Sequence, residues 1–245
     1  MEFREACDRI VFQERQKNGI GTLGEKTVHA VLKQYYEPDE SRHEQKVDGF
    51  YADVVTGNGE ILEIQTRSFD RLRKKLEVFL PSYPVTVIYP IPSRKWIYWI
   101  DDDGTMSKPR KSGKQGRPWD AFYELYKIKP FLTEENLTLK IVLLDMEEFR
   151  LLNGWSRDKK RGSSRYDRIP RELIQEIILK GPADYQRYMM PELGKEFTVK
   201  DYKAAAKTTD RIAGKALHLL NYVGAVEQIG MKGRAYVYAR REVNR

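Results

Sequence analysis

A tight hairpin is the feature of this sequence that most constrains how the chain can fold. Two strand-like runs, GFYADVV and EILEIQT, are separated by a short segment with the Gly-Asn-Gly triplet at 57–59, which predicts an antiparallel connection. Side chains alternate across a strand, so Glu63 and Gln65 share one face. A three-residue loop centred on Asn58 places Asp53 opposite Glu63 on that face, whereas a two-residue turn sends the two carboxylates to opposite faces.

The segments around the hairpin predict a mixed α/β fold. Apolar residues at helical spacing mark three segments, at 4–17, 22–36 and 68–80. The runs YPVTVIYPI and WIYWIDDDG, and a further run at 139–144, are rich in apolar and β-branched residues, as strands covered on both faces are. We therefore expect an α/β domain over residues 1–180, with a mixed sheet flanked by helices.

The pattern changes after Gly181 and Pro182. Residues 182–245 read as helix, helix, helix and hairpin, with Thr198 and Thr209 as expected N-caps. This order resembles the winged helix-turn-helix superfamily, whose third helix presents side chains to the major groove of DNA. The resemblance implies contacts with DNA through Thr208, Arg211 and Lys215 near the start of the third helix, and through Lys232 and Arg234 at the hairpin tip. The alternative is a domain that mediates only protein contacts.

The charge of the chain favours a polyanionic partner. A formal net charge of +8 and a pI of about 9.3 attract nucleic acid or acidic membrane. Two stretches, 107–118 and 154–168, are dense in basic residues and read as loops that contact phosphate. The alternative for each stretch is an ordinary solvated surface. The basic residues expected to contact nucleic acid here are Arg67, Lys108, Arg110, Lys111, Lys114, Arg117, Lys159, Lys160 and Arg161.

Other patterns exclude several classes of protein. No apolar run approaches the roughly 20 residues of a membrane span, and the N-terminal segment lacks the apolar core of a signal peptide, so we expect a soluble, cytoplasmic protein. One cysteine, Cys7, leaves no internal disulfide, and the three histidines show no zinc-ligand spacing. The aromatic residues Trp96, Tyr98 and Trp99 either pack in the core or stack on bases.

The hairpin acids suggest a metal site. Two carboxylates side by side repel unless a positive charge lies between them. Mg²⁺ prefers oxygen ligands and is held by one or two carboxylates together with waters and a substrate phosphate, and Mn²⁺ is the alternative ion. Asp53 and Glu63 would be the ligands, with the backbone carbonyl of Ile64 as a third. Such a metal lowers the pKa of a bound water and neutralises charge on a phosphodiester.

This arrangement resembles the PD-(D/E)xK nuclease superfamily, which has the restriction-endonuclease-like fold. The likeness covers roughly residues 20–100 and rests on Asp53, nine intervening residues, and then Glu63, Ile64 and Gln65. It implies that Asp53 and Glu63 bind metal, that Gln65 occupies the position usually held by lysine, and that Glu25 is the helical acid of some branches. The sequence departs from the pattern at Gln65, because an amide offers only neutral dipoles in place of a cation.

Competing interpretations remain for these residues. Glu25 also fits a capping box with Thr22, and Asp53, Glu63 and Gln65 also fit the exposed polar face of an edge hairpin. The sequence as a whole predicts a Mg²⁺-dependent DNA endonuclease that acts on duplex DNA, and the resemblance to restriction enzymes allows a homodimer. The alternatives are a non-catalytic DNA-binding or regulatory protein built on a degenerate nuclease fold, and an RNA-directed nuclease.

Overall fold

Two β-sheets organise the chain in a computed structural model, which describes residues 1–18, 27–66, 68–154 and 162–242. The α-helices are α1 (Phe3–Asn18), α2 (Thr27–Tyr36), α3 (Arg73–Phe79), α4 (Phe122–Leu125), α5 (Pro182–Tyr188), α6 (Val199–Ala206) and α7 (Asp210–Tyr222). The strands are β1 (His43–Val47), β2 (Phe50–Val55), β3 (Ile61–Ile64), β4 (Val85–Ile100), β5 (Arg110–Lys111), β6 (Leu137–Leu151), β7 (Ser164–Leu179), β8 (Glu196–Thr198), β9 (Val226–Lys232) and β10 (Ala235–Arg240).

The larger sheet is mixed, as the sequence predicts. Its strand order is β1-β2-β3-β4-β6-β7, with β5 paired to β4. The pairs β3–β4 and β4–β6 are parallel, and the outer pairs are antiparallel. Adjacent residues of β3 point to opposite faces: Ile61 belongs to the buried cluster that contains Leu76 of α3, while Leu62 belongs to the cluster that contains Leu32 of α2. Helices therefore flank the sheet on both sides, and the predicted α/β class is confirmed.

The sheet is longer than the sequence predicts. β3 ends level with Ile88 of β4, whereas β4 continues alongside β6 to Ile100. We call the outer parts of β4, β6 and β7, residues 94–100, 146–151 and 164–170, the arm. The basic segment 154–168 was predicted as a loop; this is wrong for its last residues, because β7 begins at Ser164 and pairs antiparallel with β6.

The C-terminal part contains the predicted helices and hairpin. β8, β10 and β9 form a separate three-stranded antiparallel sheet. Both predicted N-caps are confirmed: Thr198 accepts a hydrogen bond from the backbone N–H of Asp201, and Thr209 accepts one from Ile212. The helical segments therefore begin where their capping residues indicate.

One apolar cluster links the two sheets. Ile141 of the large sheet and Phe122 of α4 belong to the same buried cluster as Tyr202 of α6 and Leu217 of α7. The indole N–H of Trp119 also donates to the last carbonyl of α6, at 3.2 Å. The division at residues 180–182 stays a prediction, since burial is continuous across it. Among the described helices, none has the length and apolar character needed to cross a membrane.

Candidate active site

The hairpin brings the two predicted carboxylates to facing positions. Val54 pairs with Leu62 and Val55 with Ile61, so Asp53 and Glu63 are the next residues beyond the last pair. The loop between the strands is the three-residue 57–59 connection, with Gly59 at a φ of +83°. The predicted three-residue loop is confirmed, and this odd-numbered connection brings Asp53 and Glu63 to neighbouring positions.

Asp53 is fixed from two directions at one oxygen. Its Oδ2 accepts the backbone N–H of Ile64 at 2.7 Å and lies 3.1 Å from His29 Nε2 on α2. Asp53 is 8% exposed, and burial alone would raise its pKa. The hydrogen bond and charge of His29, with the N–H of Ile64, outweigh burial and lower the pKa. Asp53 is thus an ionised carboxylate. Both contacts involve Oδ2, so Oδ1 can still accept a ligand.

Glu63 is the more deeply buried acid. Its side chain has no exposed surface, and Lys75 Nζ of α3 lies 2.8 Å from each carboxylate oxygen. Burial raises the pKa of Glu63 to about 7, the nearby charge of Asp53 adds to the rise, and Lys75 opposes it. Glu63 therefore keeps its proton to a higher pH than an ordinary carboxyl group, as acids at functional sites often do.

The remaining residues of the motif lie beside this pair. Ile64 is buried at the end of β3. Gln65 follows it, and its backbone N–H donates to the carbonyl of Ile88 at 2.9 Å. The Gln65 side chain is half-buried, and in the part of the chain that the structure describes its amide has no hydrogen-bond partner. The Gln65 amide thus makes no hydrogen bond among the described residues, while Lys75 of α3 contacts the carboxylate of Glu63.

Two contributors to this site were missed in the sequence. The histidines show no zinc-ligand spacing, yet His29 of α2 contacts Asp53. Lys75 was one of several basic residues on a helix with no sign of which faces inward. The helix after β3, α3, packs on the face of the sheet that carries Glu63. The position of Lys75, one residue before the buried Leu76, is the sequence signal that this lysine lies near Glu63.

The donor set fits a hard cation in part. Asp53, Glu63 and the Ile64 carbonyl are oxygen donors of the kind that Mg²⁺ prefers, and two carboxylates suffice when substrate phosphate completes the coordination. Across the four described ranges, no group of three His, Cys, Asp or Glu side chains converges to hold an ion. Any bound cation would therefore depend on the two carboxylates, on backbone oxygen and on ligands from outside the chain.

Five of the predicted site residues cannot be placed relative to Asp53 and Glu63. Glu25, Arg67, Lys159, Lys160 and Arg161 lie outside the described residues.

The basic residues after β4 differ in their surroundings. Lys108, Arg110, Lys111 and Lys114 are exposed, and the first two line a cleft at the end of the arm. Arg117 is half-buried; its guanidinium lies 5.6 Å from the ring centroid of Trp119 and donates to the carbonyl of Ala206 at 3.4 Å. The exposed residues remain available to phosphate, whereas Arg117 also joins the two parts of the chain.

The C-terminal candidates divide in the same way. Arg211, Lys232 and Arg234 are exposed, and Thr208 is half-buried. Lys215 is half-buried because its ammonium lies 4.4 Å from the ring centroid of Tyr126 and 4.9 Å from that of Tyr123. These rings belong to the segment before β6, so one side of α7 rests against the first part of the chain.

The candidate site lies within the part of the chain that matches a known protein family. The sequence profile of the Domain of unknown function DUF8091 matches residues 26–180, which include His29, Asp53, Glu63 and Lys75. A protein of Treponema pallidum (strain Nichols), described as an uncharacterized protein, is 34% identical over 159 residues. The match covers 64% of this chain and 61% of that relative. No solved structure gives a significant match.

Proposed function

The chain belongs to the DUF8091 family, and we propose that it is a metal-dependent DNA endonuclease that hydrolyses phosphodiester bonds. One observation carries the proposal: Asp53 and Glu63 are buried neighbours just beyond the last pair of a hairpin, and the charge of Asp53 contributes to a Glu63 pKa of about 7. Burying two acids together is unfavourable unless a cation joins them. The proposed fold for residues 1–180 is accordingly the restriction-endonuclease-like one.

Lys75 supports catalysis by supplying the cation that Gln65 does not. A lysine within 2.8 Å of Glu63 orients a water beside the carboxylates and stabilises charge on the phosphate. His29 holds Asp53 ionised and in one orientation. A bound Mg²⁺ or Mn²⁺ would supply Lewis acidity at this point, held by Asp53 and Glu63 with the Ile64 carbonyl. The half-buried amide of Gln65 is placed to position the same water.

The partner proposed is duplex DNA, bound through the basic surface. The net charge of +8 favours a polyanion, and Lys108, Arg110, Lys111 and Lys114 are exposed cations on one segment. We propose that residues 182–245 form a winged helix in which Arg211, Lys232 and Arg234 contact the duplex. The order of three helices and a hairpin supports this, although Lys215 is drawn toward Tyr126.

Plasmid nicking in Mg²⁺ or Mn²⁺ tests the proposal. Asp53→Asn and Glu63→Gln keep the side-chain shapes and remove the ligand charge, so both are expected to abolish nicking. Glu77→Gln is the matched control, because Glu77 is an exposed acid on α3 two residues from Lys75. Nicking that survives in both site variants, or that disappears equally in the control, contradicts the proposal.

A second candidate function has one specific observation in its favour. Each carboxylate already has a positive or hydrogen-bonding partner from the chain, His29 for Asp53 and Lys75 for Glu63. A non-catalytic DNA-binding protein that keeps these contacts as structure needs no metal. DNA binding that falls with salt, combined with no nicking by the unmodified protein in either metal, would identify this alternative.

A further inference from the structure

A group of cations surrounds one buried carboxylate on the arm. Glu148 has no exposed side-chain surface, and its carboxylate oxygens lie 2.9 Å from Lys95 Nζ, 2.7 Å from Arg150 and 2.9 Å from Arg168. Arg165 lies 3.7 Å away. We call these four basic residues the cation cage. The cage joins three strands of the sheet, since its members come from β4, β6 and β7.

The cage carries more positive charge than Glu148 neutralises. Among the described residues, its three closest members leave two positive charges in excess of one carboxylate. The adjacent acid, Glu147, points to the other face, where it pairs with Arg171 at 3.1 Å. Burial lowers the pKa of Lys95, and the charge of Arg168 lowers it further, against the attraction of Glu148. Glu148 is nevertheless the strongest charge acting on Lys95, and it holds the ammonium beside the carboxylate.

The cations can be reached from solvent, whereas the acid cannot. Side-chain exposure is 32% for Arg150 and 24% for Arg168, against zero for Glu148. An incoming ligand thus meets guanidinium groups that Glu148 holds in place. Arginine presents a fork of donors that matches the oxygens of a phosphate. The chemistry of the cage is that of a site for a phosphate group.

An aromatic wall adjoins the cage on the same face. Trp99 of β4 pairs in register with Arg150, two residues beyond the pair formed by Ile97 and Glu148. Registered partners, and residues two apart on a strand, share a face. Trp99 also lines a cleft of about 520 Å³ together with Lys108 and Arg110, and its other lining residues are Asp101, Ser107 and Leu152. The indole of Trp99 is therefore a neighbour both of Arg150 in the cage and of the basic residues that line the cleft.

We propose that this face of the arm binds a nucleotide unit of a single nucleic-acid strand, with a phosphate in the cation cage and the neighbouring base against Trp99. Paired bases inside a duplex cannot stack on a side chain, whereas bases of a single strand stack on aromatic rings. The site lies away from Asp53 and Glu63 along β4 and requires no hydrolysis. It therefore stands whether or not the hairpin acids are catalytic.

Fluorescence anisotropy with a labelled single-stranded oligodeoxythymidylate tests this site. The measurement is made in EDTA, so that metal-dependent cleavage plays no part. Arg168→Gln is expected to weaken binding about tenfold and to reduce the slope of log affinity against log salt by about 0.7. Trp99→Ala is expected to weaken binding about tenfold without changing that slope. Arg171→Gln is the matched control, since Arg171 is on the same strand but pairs with Glu147.

The same assay gives the results that overturn the proposal. Equal affinities for Arg168→Gln and the Arg171→Gln control would show that the cage is not a phosphate site. A duplex that binds through the same residues more tightly than the single strand would contradict the single-strand assignment. A nucleoside monophosphate that competes as well as the oligonucleotide would identify a free nucleotide instead of a strand. Arg150→Gln, at a more exposed position, carries the same expectation if thermal melting shows that Arg168→Gln does not fold. Loss of plasmid nicking leaves all of these outcomes unchanged.

Discussion

Lys75 and Glu63 form a two-pronged contact in which one ammonium lies 2.8 Å from both carboxylate oxygens. The two residues are 12 positions apart, on α3 and β3, and the acid is fully buried while the lysine side chain is 22% exposed. The contact therefore places one partner in the interior and leaves the other reachable from solvent. The charge of Glu63 depends on whether this lysine, or another cation, stays beside it.

Removal of the Lys75 ammonium is expected to destabilise the protein in a pH-dependent way. Lys75→Met leaves Glu63 buried without a cation, so the free energy of unfolding should fall by about 1–3 kcal/mol at pH 8, where ionised Glu63 most needs its partner. The loss should be smaller at pH 5.5, because Glu63 is then protonated. Urea denaturation at both pH values measures the difference. Lys74→Met, at an exposed neighbouring position, is the control, and equal losses at the two pH values would contradict the expectation.

Replacement of Glu63 is expected to flatten the pH dependence of stability. The pKa of Glu63 is raised from 4.5 to about 7, so its contribution to stability is complete below about pH 4.5 and declines as pH rises to about 7. The contribution of Glu63 to the free energy of unfolding should therefore change by on the order of 3 kcal/mol between low pH and pH values above 7. The lowered pKa of Asp53 acts in a more acidic range, below its ordinary 3.8. Glu63→Gln should therefore gain stability relative to the unmodified protein between pH 5 and 8, and a constant difference across that range would refute the assignment.

Loss of His29 is expected to weaken metal binding at the proposed site. His29→Ala removes the group that holds Asp53 Oδ2 at 3.1 Å, so the pKa of Asp53 should rise and Mn²⁺ should bind about 10- to 100-fold more weakly. Isothermal titration with Mn²⁺ gives the affinity. His43→Ala is the control, because the His43 ring contacts the carbonyl of Glu37 and not the acidic pair. Unchanged Mn²⁺ affinity in His29→Ala would separate His29 from the site.

The capping box of α6 gives a prediction that is independent of function. Thr198 accepts the N–H of Asp201 at 3.4 Å, and the Asp201 carboxylate accepts the Thr198 N–H at 2.8 Å. Thr198→Ala should lower the free energy of unfolding by about 1 kcal/mol, measured by thermal or urea denaturation. Thr133→Ala, in an exposed turn, should have no comparable effect. A drop of the same size in both variants would show that the cap contributes nothing particular.

The fold was most predictable where local patterns and packing agree. The spacing of the hairpin loop predicted the register of Asp53 against Glu63, because glycine at a positive φ selects the odd-numbered connection. The first turns of α6 and α7 were predictable from Thr198 and Thr209 for a similar reason, since capping chemistry is local.

The missed elements depend on partners far away in the sequence. β7 contains Pro170 and a dense run of charges, and it lies at the edge of the strand order, where both are tolerated. Its strand character comes from pairing with β6 and not from its own composition. Lys75 and His29 were missed as site residues because their helices, and not their neighbours in sequence, bring them to the carboxylates.

The continuity of β4 has a geometric consequence. Val87 of this strand stands beside Glu63, and Ile97 stands beside Glu148, ten positions further along. At about 3.3 Å per residue the two acids are held roughly 30 Å apart along the strand. β4 has one more residue than β6 between Pro92 and Lys95, which reverses the faces of its side chains. Glu148 follows Met146 onto the face of α2, whereas Glu63 follows Ile61 onto the face of α3. The strand thereby keeps the two charged centres apart both along its length and across the sheet.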